Sequence, residues 1–396
     1  MAPRARFCAL QREAGERVIT DTYDIAVVGL GAIGGAAALS LADRGHRVLG
    51  IDRFRPPHPF GSSHGGTRMF REAFYHGTFH QPLVEASRHG WAGLEARVGA
   101  SLLTPAAALM IGRPGDRVFG GCAHMSGDLP PRFEWLPAPG IRERYPAFRV
   151  GDDSIALLEP DAGILALDAC LGTTLGLAAD SGAELRFGEP VASWSVARGL
   201  VQLLTTTGEM RARRLVLCPG AWTPALAAGL PLPLEVERTV QHWFEPREAD
   251  GATALEPESC PAWVWEHQPG TEWYGFPLRA GEVKVGIHVA GERGTTAEGV
   301  DRSVSAIEQE AMRDLLERHM PDAAGRCARS DVCLYTTTPD RLFVLDRHAD
   351  HPEVVLFSGG SGHAFKFAPV LGGLLADLAT DREPAFDLAP FSATRF

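Results

Sequence analysis

The sequence predicts an α/β fold in which a discontinuous Rossmann-like domain carries an inserted antiparallel-sheet domain. Three observations predict it. Residues 24–53 read strand, glycine turn, helix, strand. The apolar runs 214–218 and 354–358 each enter a glycine turn, and a helix follows the second. Between these runs, residues 234–288 hold four short β-prone stretches, the pattern of successive antiparallel strands.

The first unit opens with Ile25, Ala26, Val27 and Val28, a short apolar run of the kind that makes a buried parallel strand. Gly29, Gly31 and Gly34 follow in the spacing G-x-G-x-x-G. The first permits a tight turn, the second lets the backbone approach a pyrophosphate, and the third lets helix and strand pack closely. The helix that starts at Ala32 and Ile33 offers free N–H groups and the positive end of its dipole to phosphates. Asp52, with Arg53 beside it, falls about twenty residues on, where a carboxylate accepts hydrogen bonds from a ribose. The triplet alone is a weak signal, and the plainer reading is a glycine-rich turn in another α/β protein. Its place between strand and helix favours a dinucleotide, NAD or FAD.

Composition narrows the class. A chain of 396 residues is too long for one ordinary core and predicts two domains. A net charge of −11 argues against a nucleic-acid or anionic-membrane partner. Seven cysteines without C-x-x-C spacing speak against a disulfide framework or a zinc site, and for a reducing compartment such as the cytoplasm. No apolar run approaches the roughly 18 residues of a membrane span. Residues 1–23 lack the apolar stretch of a signal peptide and are expected to be a mobile extension.

Further along, a long Pro- and Gly-containing loop over 53–67 is more often functional than idle. A helix is expected over 82–98, a strand over 102–111, and short broken elements over 113–145. A strand over 154–158, a helix over 165–179 and a strand over 184–187 follow, then a meander over 191–206. The run 214–218 leads into Gly220 and Trp222, a second approach to a bound cofactor. After the four strands of 234–288 come a helix over 304–319, strands over 330–336, 342–346 and 354–358, and a last helix over 366–378.

Three stretches carry candidate chemistry. In 61–71, GSSHGGTRMFR, the residues His64, Arg68 and Arg71 cluster after a glycine-rich turn. Such cations hold anionic groups or stabilise charge that appears during reaction; a solvated basic loop is the plainer reading. In 282–288, Lys284 and His288 share one strand face while Val283, Val285 and Ile287 take the other. An ordinary half-exposed strand would show the same period. The third stretch pairs Cys333, Leu334 and Tyr335 with Ser361 to Lys366. A strand cysteine is by default buried and inert. Lys366 is expected to begin the last helix against its dipole, which points to a carboxylate partner.

These stretches, in this order, resemble the monomeric sarcosine oxidase and N-methyltryptophan oxidase family. The resemblance runs from Asp24 to Phe396 on DIAVVGLGAIGG, PPHPFGSSHGGTR, WYGFP with KVGIH, CLYTTTPD, SGHAFKF and FDLAPF. It implies a glutathione-reductase-type FAD domain over 24–102, 160–233 and 340–396, and a substrate domain over 103–159 and 234–339. It implies FAD joined to Cys333 by a thioether at the 8α-methyl, and no metal. The cofactor contacts it implies are Gly29, Gly31, Ala32, Ile33, Gly34, Asp52, Arg53, Ser62, His64, Thr67, Arg68, Val191, Gly220, Trp222, Gly359, Gly362, His363, Phe365 and Lys366. Lys284 matches the lysine that meets O₂, and Arg68, His64, His288 and Tyr274 complete the catalytic group. Arg71 and Lys366 match the pair that clamps a substrate carboxylate, and Tyr274 and Tyr335 line the substrate cavity. Trp265, in a Trp-rich segment beside an apparent insertion, is expected at that wall, filling the cavity or stacking on an aromatic substrate. Where the family often reads G-D-T-R, this chain reads Gly65-Gly66-Thr67-Arg68 and lacks the acid.

The activity implied is oxidation of a secondary amine, an N-methyl or cyclic α-amino acid, by a monomeric enzyme. The products are an imine and H₂O₂, and the partners are a small molecule and O₂. A flavin dehydrogenase or desaturase of an imino acid, an NAD-dependent dehydrogenase and a non-catalytic flavin protein are the alternatives.

Overall fold

The computed structural model describes residues 22–73, 80–125, 132–227, 230–248, 250–288 and 292–396. The extension expected over 1–23 lies outside them, apart from Thr22 and Tyr23, which open the first strand. Strands among the described residues form three sheets.

The eight-stranded sheet is centred on Thr22–Val28, flanked in parallel by Val48–Asp52 and Glu209–Leu217. Glu184–Phe187 extends one side and Val354–Ser358 the other, both in parallel. Val191–Ala197 and Leu200–Thr205 form an antiparallel meander on Glu209–Leu217, and Val344–Arg347 closes antiparallel on Val354–Ser358. The central strands are apolar on both faces because both faces are covered. Ile25, Val27, Val48 and Val216 meet the helices Ala32–Asp43, Leu167–Asp180 and Ala368–Ala379. Ala26, Val28, Leu49 and Leu217 meet Val201 and Leu203 of the meander.

The nine-stranded sheet runs in the order Glu292–Thr295, Glu235–Phe244, Val283–His288, Thr271–Gly275, Ala262–Gln268, Ala108–Gly112, Ile155–Glu159, Glu134–Pro137. Cys327–Thr337 also pairs with Glu235–Phe244. One pair departs from the expected antiparallel pattern: Ala262–Gln268 runs parallel to Ala108–Gly112. Helix Ala306–His319 is fixed at its start by a capping box between Ser305 and Glu308. The third sheet joins Thr67–Phe70, Gly163–Ala166 and Leu103–Pro105.

Two expectations need correction. Residues 102–111 are not one strand but two, Leu103–Pro105 and Ala108–Gly112, in different sheets. Pro105 has no N–H to donate and ends the first. Lys366 does not begin the last helix. It lies in a single 3₁₀ turn, Phe365–Phe367, and the helix starts at Ala368 with Pro369 in its first turn. A helix dipole therefore gives no account of Lys366.

Candidate active site

Where the first glycine turn, the 53–67 loop and the nine-stranded sheet meet lies a cavity of about 710 Å³. Its first end is built on the turn after Thr22–Val28. Gly29 takes φ +90°, and a Cβ there would lie 2.3 Å from the Cys218 carbonyl oxygen. A Cβ on Gly34 would lie 1.8 Å from the Gly29 oxygen, so only glycine lets the helix sit this close to the turn. Gly31 stands at the N-cap of Ala32–Asp43 and supplies no side-chain cap. Asp52 accepts Leu30 N at 2.7 Å and Phe54 N at 2.8 Å, which ties the turn to the following loop. Asp52 lines the cavity, with His58 Nε2 3.9 Å from its Oδ1. Burial pushes its carboxyl above the ordinary range, opposed by those two N–H groups. Ala32, Ile33, Arg53, Val191, Gly220 and Trp222 line the same end. Arg53 lies over the Trp222 ring at 5.0 Å and pairs with Glu298 at 2.8 Å. A helix start whose N-cap residue brings no side chain, a turn without room for Cβ and a buried carboxylate fit the pyrophosphate and ribose of a dinucleotide.

At the other end Lys284, 4% exposed, donates to Gly65 O at 2.8 Å and Thr67 O at 3.1 Å. Burial, then Arg68, push its ammonium well below the usual lysine range. Arg68 donates to Thr67 O at 2.8 Å and Ser62 O at 2.7 Å, so it braces the loop that Lys284 also grips. The plainer reading of 282–288, a half-exposed strand, is excluded by this burial. Val283 and Val285 pack in the core behind.

Arg71 and Lys366 line the cavity and are almost wholly buried. Arg71 donates to Ala73 O, and Trp91 Nε1 holds Lys366 O at 2.8 Å. Burial and Arg71 push Lys366 well below its usual range, and Glu159 pulls it back. Glu159 accepts Glu72 N at 2.7 Å and Ala73 N at 3.0 Å, and burial pushes its carboxyl up to about 7. Glu159 acts on Lys366 electrostatically, although the helix-start argument that led to expecting a carboxylate there does not hold. His288 Nδ1 and the Tyr335 hydroxyl lie 3.3 Å apart. Burial pushes His288 down to about 4, and raises Tyr274 and Tyr335 above the usual phenol range, so these three are neutral at pH 7. Gly359, Gly362, His363 and Phe365 close the cavity from the last glycine turn, and Ser62 and Thr67 from the loop.

Three expected residues are not on the cavity wall. Trp265 is the clear correction: it is 3% exposed and packs on Trp273 at 5.6 Å and His319 at 4.6 Å in the core behind the sheet. Its neighbour Val264 faces the cavity instead, paired with Tyr274 across the strands. Side chains alternate along a strand, so Trp263 and Trp265 must share the other face. His64 is buried behind the wall, held neutral by burial and by Arg68 and Lys284, which push it down to about 3. Cys333 is buried too, its Sγ 3.9 Å from Gly61 O and Ser62 O, one layer behind residues that line the cavity. Sequence reasoning missed Glu159, Gln241 and Ser63, whose Oγ accepts Ala32 N at 3.3 Å. A carboxylate ending the apolar strand Ile155–Glu159 was the one signal available for Glu159.

Among the described residues no helix is long and apolar enough to cross a membrane, and no cluster of three His, Cys, Asp or Glu could hold a metal. A pyrophosphate turn at one end of a cavity and buried cations at the other define a dinucleotide-dependent redox enzyme. Residues 24–378 match the family described as FAD dependent oxidoreductase, and the chain belongs to that family. It is similar to monomeric sarcosine oxidase of Streptomyces avermitilis, at 38% identity over 95% of this chain and 98% of that one. N-methyl-L-tryptophan oxidase of Salmonella arizonae is 33% identical over 94% of this chain and 99% of its own. Among solved structures, NikD, an unusual amino acid oxidase essential for nikkomycin biosynthesis, superposes with a TM-score of 0.83 at 27% identity. That match covers 94% of this chain and 98% of NikD. The dinucleotide is therefore FAD, and NAD is set aside.

Proposed function

We propose that the chain oxidises a secondary amine, an N-methyl or cyclic α-amino acid, at the carbon next to nitrogen and passes the electrons to O₂. The observation that carries this reading is one cavity lined by four basic side chains, the buried Arg71, Lys366 and Lys284 and the half-buried Arg68. Bound in this cavity, FAD would supply two-electron redox chemistry: the amine would lose a hydride from carbon and a proton from nitrogen to give an imine, and O₂ would take up two electrons and two protons as H₂O₂. Arg71 and Lys366 hold the substrate carboxylate at two points, which fixes the C–H bond to be broken. Tyr274, Tyr335 and His288 present neutral polar groups beside it. Lys284 stabilises the anion formed as O₂ takes its first electron. The likeness to sarcosine and N-methyl-L-tryptophan oxidases supports the substrate class.

The test is anaerobic mixing with a panel of N-methyl and cyclic amino acids. Bleaching of the flavin, followed by H₂O₂ on admitting air, is expected. A flavin that no amine bleaches overturns the reading, and bleaching without H₂O₂ replaces O₂ with another acceptor.

We further propose that Cys333 is joined by a thioether to the 8α-methyl of the flavin; the S–H and one methyl C–H bond would be broken, and the two electrons and two protons would pass to O₂ as H₂O₂. Its place directly behind Gly61 and Ser62 supports this, because those residues line the cavity. Cys333 also lies close enough to Lys284 and Arg302 to act on both electrostatically. After denaturation in acid the yellow colour is expected to stay with the precipitated protein. Colour wholly in the supernatant rules the bond out.

A further inference from the structure

Gln241 lies mid-strand in Glu235–Phe244, opposite Gly286 on one side and Asp331 on the other. It lines the cavity, is 2% exposed, and its Oε1 is buried without a hydrogen-bond partner among the described residues. Buried polar atoms are nearly always paired, and an exception at a cavity marks a place for water or ligand.

The surroundings say which. Gly65 takes φ +92°, and a Cβ on it would lie 2.0 Å from Gln241 Oε1 and 3.1 Å from Lys284 Nζ. The two atoms therefore sit over the same side of Gly65. They form no direct hydrogen bond, yet are close enough for one water to join them. Lys284 donates to Gly65 O and Thr67 O, and an ammonium has three N–H groups. The third has no hydrogen-bond acceptor among the described residues, with the centroids of the Trp243 and Phe276 rings 5.5 and 5.3 Å from Nζ.

We propose that Gln241 is a positioning residue for oxygen reduction, holding one water molecule between its Oε1 and the Lys284 ammonium. This rests on the role given to Lys284 above. The water supplies an acceptor for the third N–H and so favours the charged form of Lys284. The groups that face Lys284 are Arg68 and His64 from the loop and strand before it, Arg329 and Cys333 from Cys327–Thr337, and Asp168 from Leu167–Asp180. Burial and Arg68 work against the ammonium, and the water works with Asp168 for it. Without the water, Lys284 loses its proton at lower pH. With a carboxylate in place of the carboxamide, it keeps its proton to higher pH.

The experiment follows flavin reoxidation against pH in the holoenzyme, with crystal structures of the same proteins. Gln241→Leu is expected to slow reoxidation about tenfold at neutral pH, less than loss of the charge itself. Its alkaline limb should move down by about one pH unit, while anaerobic reduction by substrate changes much less than reoxidation does. Gln241→Glu should move that limb up. Crystals of the holoenzyme should show a water between Gln241 Oε1 and Lys284 Nζ that Gln241→Leu lacks. An unmoved limb in both variants, or no such water in the wild-type holoenzyme, overturns the proposal. Should Gln241→Leu not fold, Gln241→Glu decides, because an unmoved limb there overturns it too. If Lys284→Met fails to slow reoxidation, the role of Lys284 itself falls, which is a separate outcome.

Discussion

Lys284→Met is expected to slow reoxidation of the reduced flavin about a thousandfold while anaerobic reduction by substrate changes only a few-fold. The magnitude follows from charge. A unit cation about 4 Å from a unit anion, at an effective dielectric near 20, is worth about 4 kcal/mol, or roughly three powers of ten in rate. Methionine keeps the length of the side chain and removes its charge. It also leaves the carbonyls of Gly65 and Thr67 without their shared donor, so some loss of stability accompanies the kinetic effect. The split between the two half-reactions separates these causes, since a distorted loop would impair both. Because burial and Arg68 depress the ammonium, the wild-type rate should be full at low pH and fall as Lys284 deprotonates. Stopped-flow mixing of the reduced enzyme with O₂ measures this, and an unchanged second-order rate constant removes the idea.

Gly34→Ala is expected to give a protein that loses both stability and flavin, and Gly31→Ala one that loses flavin alone. The added methyl at Gly34 would stand 1.8 Å from the Gly29 oxygen and 3.1 Å from Cys218 Cβ, so backbone must move. Overpacking of this kind costs about 1–3 kcal/mol, and here it displaces the turn that cradles the pyrophosphate. At Gly31 the nearest atom to an added methyl is Ser63 Oγ at 3.3 Å, a tight contact that a small shift of that side chain relieves without moving backbone. That methyl points where the pyrophosphate would approach. The flavin-to-protein absorbance ratio and the melting temperature of each purified variant distinguish the cases. Full flavin content in Gly34→Ala would refute the account of the turn.

The glycine turn was legible because its spacing, strand and helix state their reasons locally. The cavity face of Val283–His288 was legible too, since a period of two puts Lys284 and His288 together whatever the rest of the chain does. Trp265 shows the limit of the same rule. Period two groups Trp263 with Trp265, but which face meets the cavity depends on register with Tyr274 across the strands. Glu159 and Gln241 were not legible for a stronger reason. Each is an ordinary polar letter in a strand, and only distant loops, Glu72–Ala73 for one and Gly65 for the other, give it a role. The break at Pro105 could have been read locally, since a proline within an apolar run argues against one continuous strand.

The alternation that hides Trp265 also divides labour along the strands Ala262–Gln268 and Thr271–Gly275. Val264 and Tyr274 shape the cavity, while Trp263, Trp265 and Trp273 knit the core one residue away. A change at Val264 or Tyr274 therefore reshapes what the cavity presents without opening the Trp-lined core, and a change at Trp263, Trp265 or Trp273 loosens the sheet without altering the cavity wall.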